Sequence, residues 1–280
     1  MLGAIIGDMI GSLYERTPIK TKEFEIFNQQ TRMTDDSILT IAVAKTLLKH
    51  YPIKYDEESL KSIQKDLIDN FAKAWKANET AGFGMLFRNW ARKALRGQAE
   101  PYNSFGNGSA MRISPVGWIA KDEDEVKLLS KIVTEITHNH PEGLKGAEAV
   151  AMAIYLALHG FTKEQIKERI VNDYYPEIAN LNFDDLVKNY GFSPTCQESV
   201  PQAIHCFLIS TSLEDTIRNC VAIGGDCDTT AAMAGSIAEA YYQKDNLSDF
   251  EDKFLYFMID PDVEKLIKRF HKTIGSEKFQ

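Results

Sequence analysis

Apolar residues recur at helical spacing along most of the chain, and no stretch alternates convincingly with a period of two. The pattern predicts helices over 37–48, 60–75, 126–136, 144–158 and 204–209. The apolar run 2–14 is interrupted by Asp8 and lacks the basic start and small-residue cleavage site of a signal peptide, so it reads as a buried helix of the mature fold. Within it, Gly3, Gly7 and Gly11 recur at i, i+4 and lay a groove of exposed backbone down one face. The segment 231–240 is small and apolar nearly all round, as expected of a second buried helix packed tightly on its neighbours. A strand-like run at 24–27 is too short to build a sheet, so the fold class is all-α, with many helices. Breakers at Pro52, Gly97, Pro101, Gly106, Gly108, Pro141, Gly160, Gly191, Pro194, Gly224 and Gly225 are irregularly spaced and exclude a solenoid. No low-complexity linker divides the chain; one domain over 1–280 is expected, with the polar segment 172–197 as the candidate insertion.

Composition sharpens the class. With 44% hydrophobic residues, 26% charged residues and a mean hydropathy of -0.27, the chain falls among ordinary globular proteins, away from disorder and membrane residence. The net charge is -8, and its lysines and arginines are scattered instead of gathered into a stripe, which argues against direct nucleic-acid binding. Cys196, Cys206, Cys220 and Cys227 match neither a zinc ribbon nor a secreted disulfide framework. They are expected to be reduced thiols in a soluble, cytoplasmic protein.

Two acidic clusters precede helical runs. Thr34-Asp35-Asp36-Ser37 reads first as a helix start, with Thr34 as the cap and the aspartates complementing the helix dipole. Gly224-Gly225-Asp226-Cys227-Asp228-Thr229-Thr230 has the same form, but Asp226 and Asp228 stand two apart in a turn and Thr229 adds a neutral oxygen. Hard divalent cations take this oxygen-rich set. If the two helix starts converge, four carboxylates meet in one place and repel unless cations neutralise them.

Other candidates are weaker on pattern alone. Glu15 follows the first helix, where a solvated carboxylate is at least as common; Asp8, inside an apolar helix, needs a hydrogen-bonding partner or a role behind a metal site. The turn from Gly106 to Arg112 leads into an apparent helix and could cradle a diphosphate on its backbone amides, as could the helix start and Arg112, although Gly-rich turns are more often merely turns and this one is not a P-loop. The loop Gly82-Phe83-Gly84 is a candidate pocket wall. His138 and His140 flank Asn139 at a helix-to-helix turn, without the spacing of a zinc protease.

Taken in order, Gly7-Asp8-x-x-Gly11, Thr34-Asp35-Asp36-Ser37, Gly106-Asn107-Gly108-Ser109-Ala110-Met111-Arg112, Thr137-His138 and Gly225-Asp226-x-Asp228-Thr229-Thr230-Ala231 resemble the ADP-ribosylglycohydrolase family. The resemblance implies a compact orthogonal multi-helix bundle with a binuclear centre of two divalent cations, Mg2+ before Mn2+. By position, Thr34, Asp35, Asp36, Asp226, Asp228 and Thr229 would be the metal ligands. Ser104, Phe105, Gly106, Asn107, Gly108 and Ser109, with Met111 and His138, would bind the ADP-ribose. Glu15 matches a glutamate that assists catalysis in the serine-directed branch of the family, and Glu15 or Asp226 would be the catalytic base. Ser37 departs from the threonine common in the family and leaves the acidic pair intact. The implied activity is hydrolysis of the N- or O-glycosidic bond of ADP-ribose conjugates on proteins or small molecules. The rivals are a two-metal phosphoester or diphosphate hydrolase and a non-catalytic ADP-ribose-binding relative.

Overall fold

A computed structural model describes residues 1–242, 248–258 and 260–275. Among these residues lie fourteen α-helices: α1 (Leu2–Gly11), α2 (Asp35–Lys49), α3 (Glu57–Ala77), α4 (Met85–Ala94), α5 (Ser114–Ile119), α6 (Glu123–Thr134), α7 (Pro141–Leu158), α8 (Lys163–Asp173), α9 (Phe183–Asn189), α10 (Cys196–Leu208), α11 (Leu213–Ile223), α12 (Cys227–Tyr242), α13 (Asp249–Met258) and α14 (Pro261–Thr273). The only β-type pairing among the described residues is one isolated bridge, Gly106 with Thr195, so the all-α expectation holds. No helix among them is long and apolar enough to cross a membrane.

The five helices predicted from periodicity are present as α2, α3, α6, α7 and α10, with different ends. In the last case the helix starts eight residues earlier, because Pro201 sits inside it and masks its first turns in the sequence. The first helix stops at Gly11, which leaves Glu15 in the irregular segment beyond it and not at the helix end. The Gly-rich motif likewise makes only a 3-10 turn (Asn107–Ser109) before α5 begins at Ser114. The polar segment 172–197 is not a loose insertion: Tyr175, Ile178 and Cys196 are buried in the core, and Cys196 N–H donates to Phe105 O at 3.0 Å.

At the centre, α1 and α12 run antiparallel with their backbones almost in contact. A Cβ on Gly3 would lie 2.2 Å from Gly235 O, one on Gly7 2.1 Å from Ala231 O, and one on Gly11 2.4 Å from Cys227 O. Each step of four along α1 meets a step of four back along α12, so the glycine stripe is a template for close backbone contact. Residues 2–11 and 227–240 are all buried, which explains why neither helix has a polar face. At the far end, Glu239 accepts Gly3 N–H at 2.8 Å and the Met1 ammonium at 2.6 Å, fixing the pair against sliding.

The strand-free segment 12–34 crosses the α11–α12 junction and is tied down along its length. Lys20 Nζ donates to Tyr190 O at 2.7 Å and Ile223 O at 2.6 Å, and Arg218 Nη1 donates to Lys22 O and Phe24 O. These bonds hold the part of the chain that carries Glu15 beside the start of α12.

Gly7→Ala forces a methyl group into the α12 backbone, so we expect a loss of ~3 kcal/mol or more, at or beyond the usual overpacking range. Gly84→Ala, with nothing within 4 Å of the new Cβ, is expected to change stability by less than about 0.5 kcal/mol. Urea denaturation of both variants measures the contrast, and equal stabilities would sink the template reading.

Candidate active site

The helix pair delivers Asp8 and the start of α12 to the N-terminus of α2; only Asp226 lies in the turn, and Asp228, expected there too, stands in the first turn of the helix. Asp8, fully buried, accepts from Thr34 N–H at 2.9 Å, Thr34 Oγ1 at 2.5 Å, Ser37 N–H at 3.1 Å and the Ser37 hydroxyl. It therefore caps a helix to which it does not belong. Thr34, expected to be the cap, stands at that position but makes no capping bond, because its hydroxyl is committed to Asp8. Burial raises the Asp8 carboxyl, against the lowering effect of the bonds from Ser37 and Thr34.

Two groups of carboxylate oxygens result, each within 4.8 Å of one another: Asp8, Asp36 and Asp228, and Glu15, Asp226 and Asp228. The groups share Asp228, whose Oδ1 accepts the Thr229 N–H at 2.8 Å. Asp36 Oδ1 is buried and has no hydrogen-bond partner. Asp35 belongs to neither group. Its N–H donates to Ala81 O at 2.9 Å, and its Oδ1 rests where a Cβ on Gly82 would come within 2.7 Å; Gly82 has a φ of +107° that side chains disfavour. Gly82 is thus needed for a reason beyond shaping a wall.

Every carboxyl here is pushed toward the protonated form, burial being the largest cause. Asp35 rises to about 7, helped by the charge of Asp8; Asp36 and Asp228 rise well above the ordinary range, helped by Asp8 and Asp36 respectively; Asp226 also rises, although Asp228, Asn107 and Thr229 bond to it. Glu15, half-buried, is raised by burial and then by Asp226. Two full charges ~5 Å apart repel by roughly 3 kcal/mol at an effective dielectric of about 20. An unpartnered buried carboxylate oxygen and two oxygen clusters without thiolate or imidazole fit hard divalent cations and suit zinc poorly.

All of these carboxylates except Asp8 line a cleft of about 740 Å3 that also contains Ser104, Phe105, Gly106, Asn107, Gly108, Met111 and His138. Asn107 N–H donates to Pro194 O at 2.9 Å and its Nδ2 donates to Asp226 Oδ2 at 2.7 Å, so the Gly-rich turn is bolted to both the 193–195 segment and the acidic turn. A Cβ on Gly108 would meet His138 Nε2 at 3.4 Å, and one on Gly106 would meet it at 3.7 Å. Ser109 departs from the expected group: it is fully buried beneath the turn, outside the cleft lining, and its hydroxyl donates to Gly143 O at 2.8 Å. His140 instead caps α7, accepting Glu142 N–H at 3.1 Å.

Sequence reasoning did not place Phe192, Met85 and Leu86 at the cleft, where they stand exposed. Met85 and Leu86 stand in the first turn of α4, before its buried Phe87 and Trp90, and Leu86 shares the helical spacing of Trp90, so periodicity does not mark it as exposed. Arg16 and Arg32, also lining the cleft, carried no pattern that marked them.

Comparison with known proteins gives the family. A family model described as ADP-ribosylglycohydrolase matches residues 1–277. The chain is 25% identical to the ADP-ribosylhydrolase ARH3 of Gallus gallus over 88% of this chain and 85% of that protein, and 25% identical to the Homo sapiens ARH3 over 89% and 86%. It is 22% identical to the ADP-ribosylarginine hydrolase Tri1 of Pseudomonas putida, over 86% of this chain and 69% of that protein. A solved structure described as an ADP-ribosylglycohydrolase-related protein complex shares the fold, with a TM-score of 0.64, 23% identity and 86% coverage of both chains. With the match running through nearly the whole sequence, the chain belongs to the ADP-ribosylglycohydrolase family and is a glycosidic-bond hydrolase.

Proposed function

We propose that this chain releases ADP-ribose from modified protein side chains or related small-molecule conjugates by cation-dependent hydrolysis of the glycosidic bond. The observation that carries the reading is the pair of carboxylate groups sharing Asp228, open to a cleft whose other wall is a Gly-rich turn. Two magnesium or manganese ions held by Asp36, Asp226 and Asp228, with further oxygens from Thr34, Asp35 and Thr229, would supply positive charge that orients the ribose hydroxyls and offsets charge in the transition state. Asp8, saturated by four hydrogen bonds, is the group that fixes Thr34 and Ser37 and so aims Asp36.

The turn from Ser104 to Gly108 offers backbone amides to the diphosphate, and His138 Nε2 faces the same space. Phe105, Asn107 and Met111 shape the wall beside it. Glu15 is the base we assign to the attacking water. Burial and Asp226 hold its proton affinity above that of a free glutamate, and it lies at the half-open edge of the cluster where water enters. Asp226 is the second candidate, but Asn107 already occupies one of its oxygens.

Incubating the purified protein with arginine-linked, serine-linked, nucleic-acid-linked and small-molecule ADP-ribose conjugates, with and without chelator, tests the proposal. We expect free ADP-ribose from at least one conjugate, lost on chelation and lost in Asp228→Asn with circular dichroism unchanged. AMP as the product would favour a diphosphate hydrolase, and full turnover by Asp228→Asn would overturn the assignment. Glu15→Gln is expected to slow turnover by a factor on the order of 10² to 10⁴ while leaving cation binding intact. Unchanged turnover would reduce Glu15 to a solvated carboxylate.

The raised carboxyls also set a pH dependence. Asp35 moves from an ordinary 3.8 to about 7 on folding, so between these values the folded chain holds more protons than the unfolded one. The stability that the shift provides is complete below the lower value and is lost as pH rises through about 7. Cations that replace those protons should therefore stabilise most at high pH. We expect magnesium to raise the melting temperature clearly more at pH 8 than at pH 5, read by scanning calorimetry; equal shifts would count against the cluster as the binding place.

A further inference from the structure

Arg112 is fully buried, yet it lies in the wall behind the cleft. Its guanidinium sits over the ring of Phe71 at 4.5 Å and near that of Phe87 at 6.0 Å. Nε and Nη1 have no hydrogen-bond partner, and Nη2 makes one bond, to Thr137 Oγ1 at 2.6 Å. A buried cation with two unmatched donors is costly, and packing alone would be served better by a methionine. The single bond it makes leads to the site.

Thr137 Oγ1 also lies 2.8 Å from His138 Nδ1 and 3.3 Å from Thr134 O. Arginine can only donate, so the threonine oxygen is an acceptor in the first bond. Its own proton then has two destinations, of which the imidazole nitrogen is nearer by half an ångström. An Nδ1–H pointed at the same oxygen would bring a second positive end against an atom already facing the guanidinium.

We infer that Arg112 and Thr137 form a relay that fixes His138 in its Nε2–H tautomer, turning the ring into a hydrogen-bond donor aimed at the Gly106–Gly108 turn. Arg112 and Thr137 are positioning residues; neither needs to touch the ligand. The ring remains a neutral donor because burial, then the nearby Arg112 charge, push its protonation well below the usual histidine range. A neutral N–H suits a site already crowded with charge, since it recognises an anion without adding a cation beside the acidic clusters. The ring cannot drift, because Tyr102 packs on it with centroids 5.5 Å apart and His138 N–H is held by Thr134 O at 2.9 Å.

The inference rests on the proposed ADP-ribose site only for what the donor contacts, and its first test does not need that site. In the ligand-free protein, ¹⁵N NMR of the His138 ring is expected to show a protonated Nε2 and a bare Nδ1. Thr137→Val, which keeps the shape but removes the hydroxyl, should populate the other tautomer, and Thr137→Ser should restore the wild-type spectrum. ADP-ribose titrated by calorimetry should bind about tenfold more weakly to Thr137→Val and normally to Thr137→Ser, as for one hydrogen bond to a charged group. A wild-type ring protonated on Nδ1, or a Thr137→Val spectrum unchanged from wild type, overturns the relay. Failure of the wild type to bind ADP-ribose would instead defeat the functional reading and leave the tautomer measurement to stand on its own.

Discussion

The close approach of α1 to α12 is the constraint from which the site follows. Three glycines at i, i+4 let one backbone rest on another at distances no side chain permits, and Glu239, accepting Gly3 N–H, ties the register. That register puts Asp8 opposite the start of α12, with Asp226 just before the helix and Asp228 in its first turn. From there Asp8 reaches across to Thr34 and Ser37 and ends α2 at the place where Asp36 joins the group. A helix cap supplied by a different helix converts a packing contact into a positional one, so an error of one turn in the glycine stripe would scatter carboxylates drawn from three parts of the chain.

Around that junction the remaining elements act as ties. Asn107 bonds to Asp226 and to Pro194, which joins the Gly-rich turn to the acidic turn through one side chain. Lys20 links the segment carrying Glu15 to Tyr190 and to Ile223, one residue before Gly224-Gly225. Each tie ends within a few residues of an aspartate. Long irregular segments are ordinarily mobile because their backbone groups face water. Here their polar groups are spent on the frame of the cleft, and loops can carry chemistry without losing position.

Much of this is legible in the sequence. The helical period, the glycine stripe, the buried small-residue helix and both acidic starts are patterns in composition at fixed spacing, and they survive folding because sterics enforces them locally. What the sequence did not show is where bonds cross between distant segments. Thr34 read as a cap because capping is local, whereas Asp8, twenty-six residues away, does the capping. Ser109 read as part of the cradle because it adjoins Gly108, yet a 3-10 turn rotates it under the loop toward Gly143. Arg112 read as a phosphate contact because arginines usually are, and nothing in the spacing signals that Phe71 and Phe87 enclose it.

The same residues that make the site make it unstable as a bare protein. Repulsion of roughly 3 kcal/mol between neighbouring charges is comparable with a sizeable part of the 5 to about 15 kcal/mol that keeps a domain folded. The structure offers two remedies that exclude each other. Protons can relieve the cluster, as the upward shift of its buried carboxyls implies, or cations can, through the unpartnered oxygen of Asp36. The α1–α12 contact must therefore be strong enough to hold the carboxylates together before either arrives. Its strength comes from apolar and backbone packing on the far side of the same helices, where no charge has to be neutralised except at Glu239, which has the Met1 ammonium beside it. Rigidity made at one end of a helix pair is thus spent at the other.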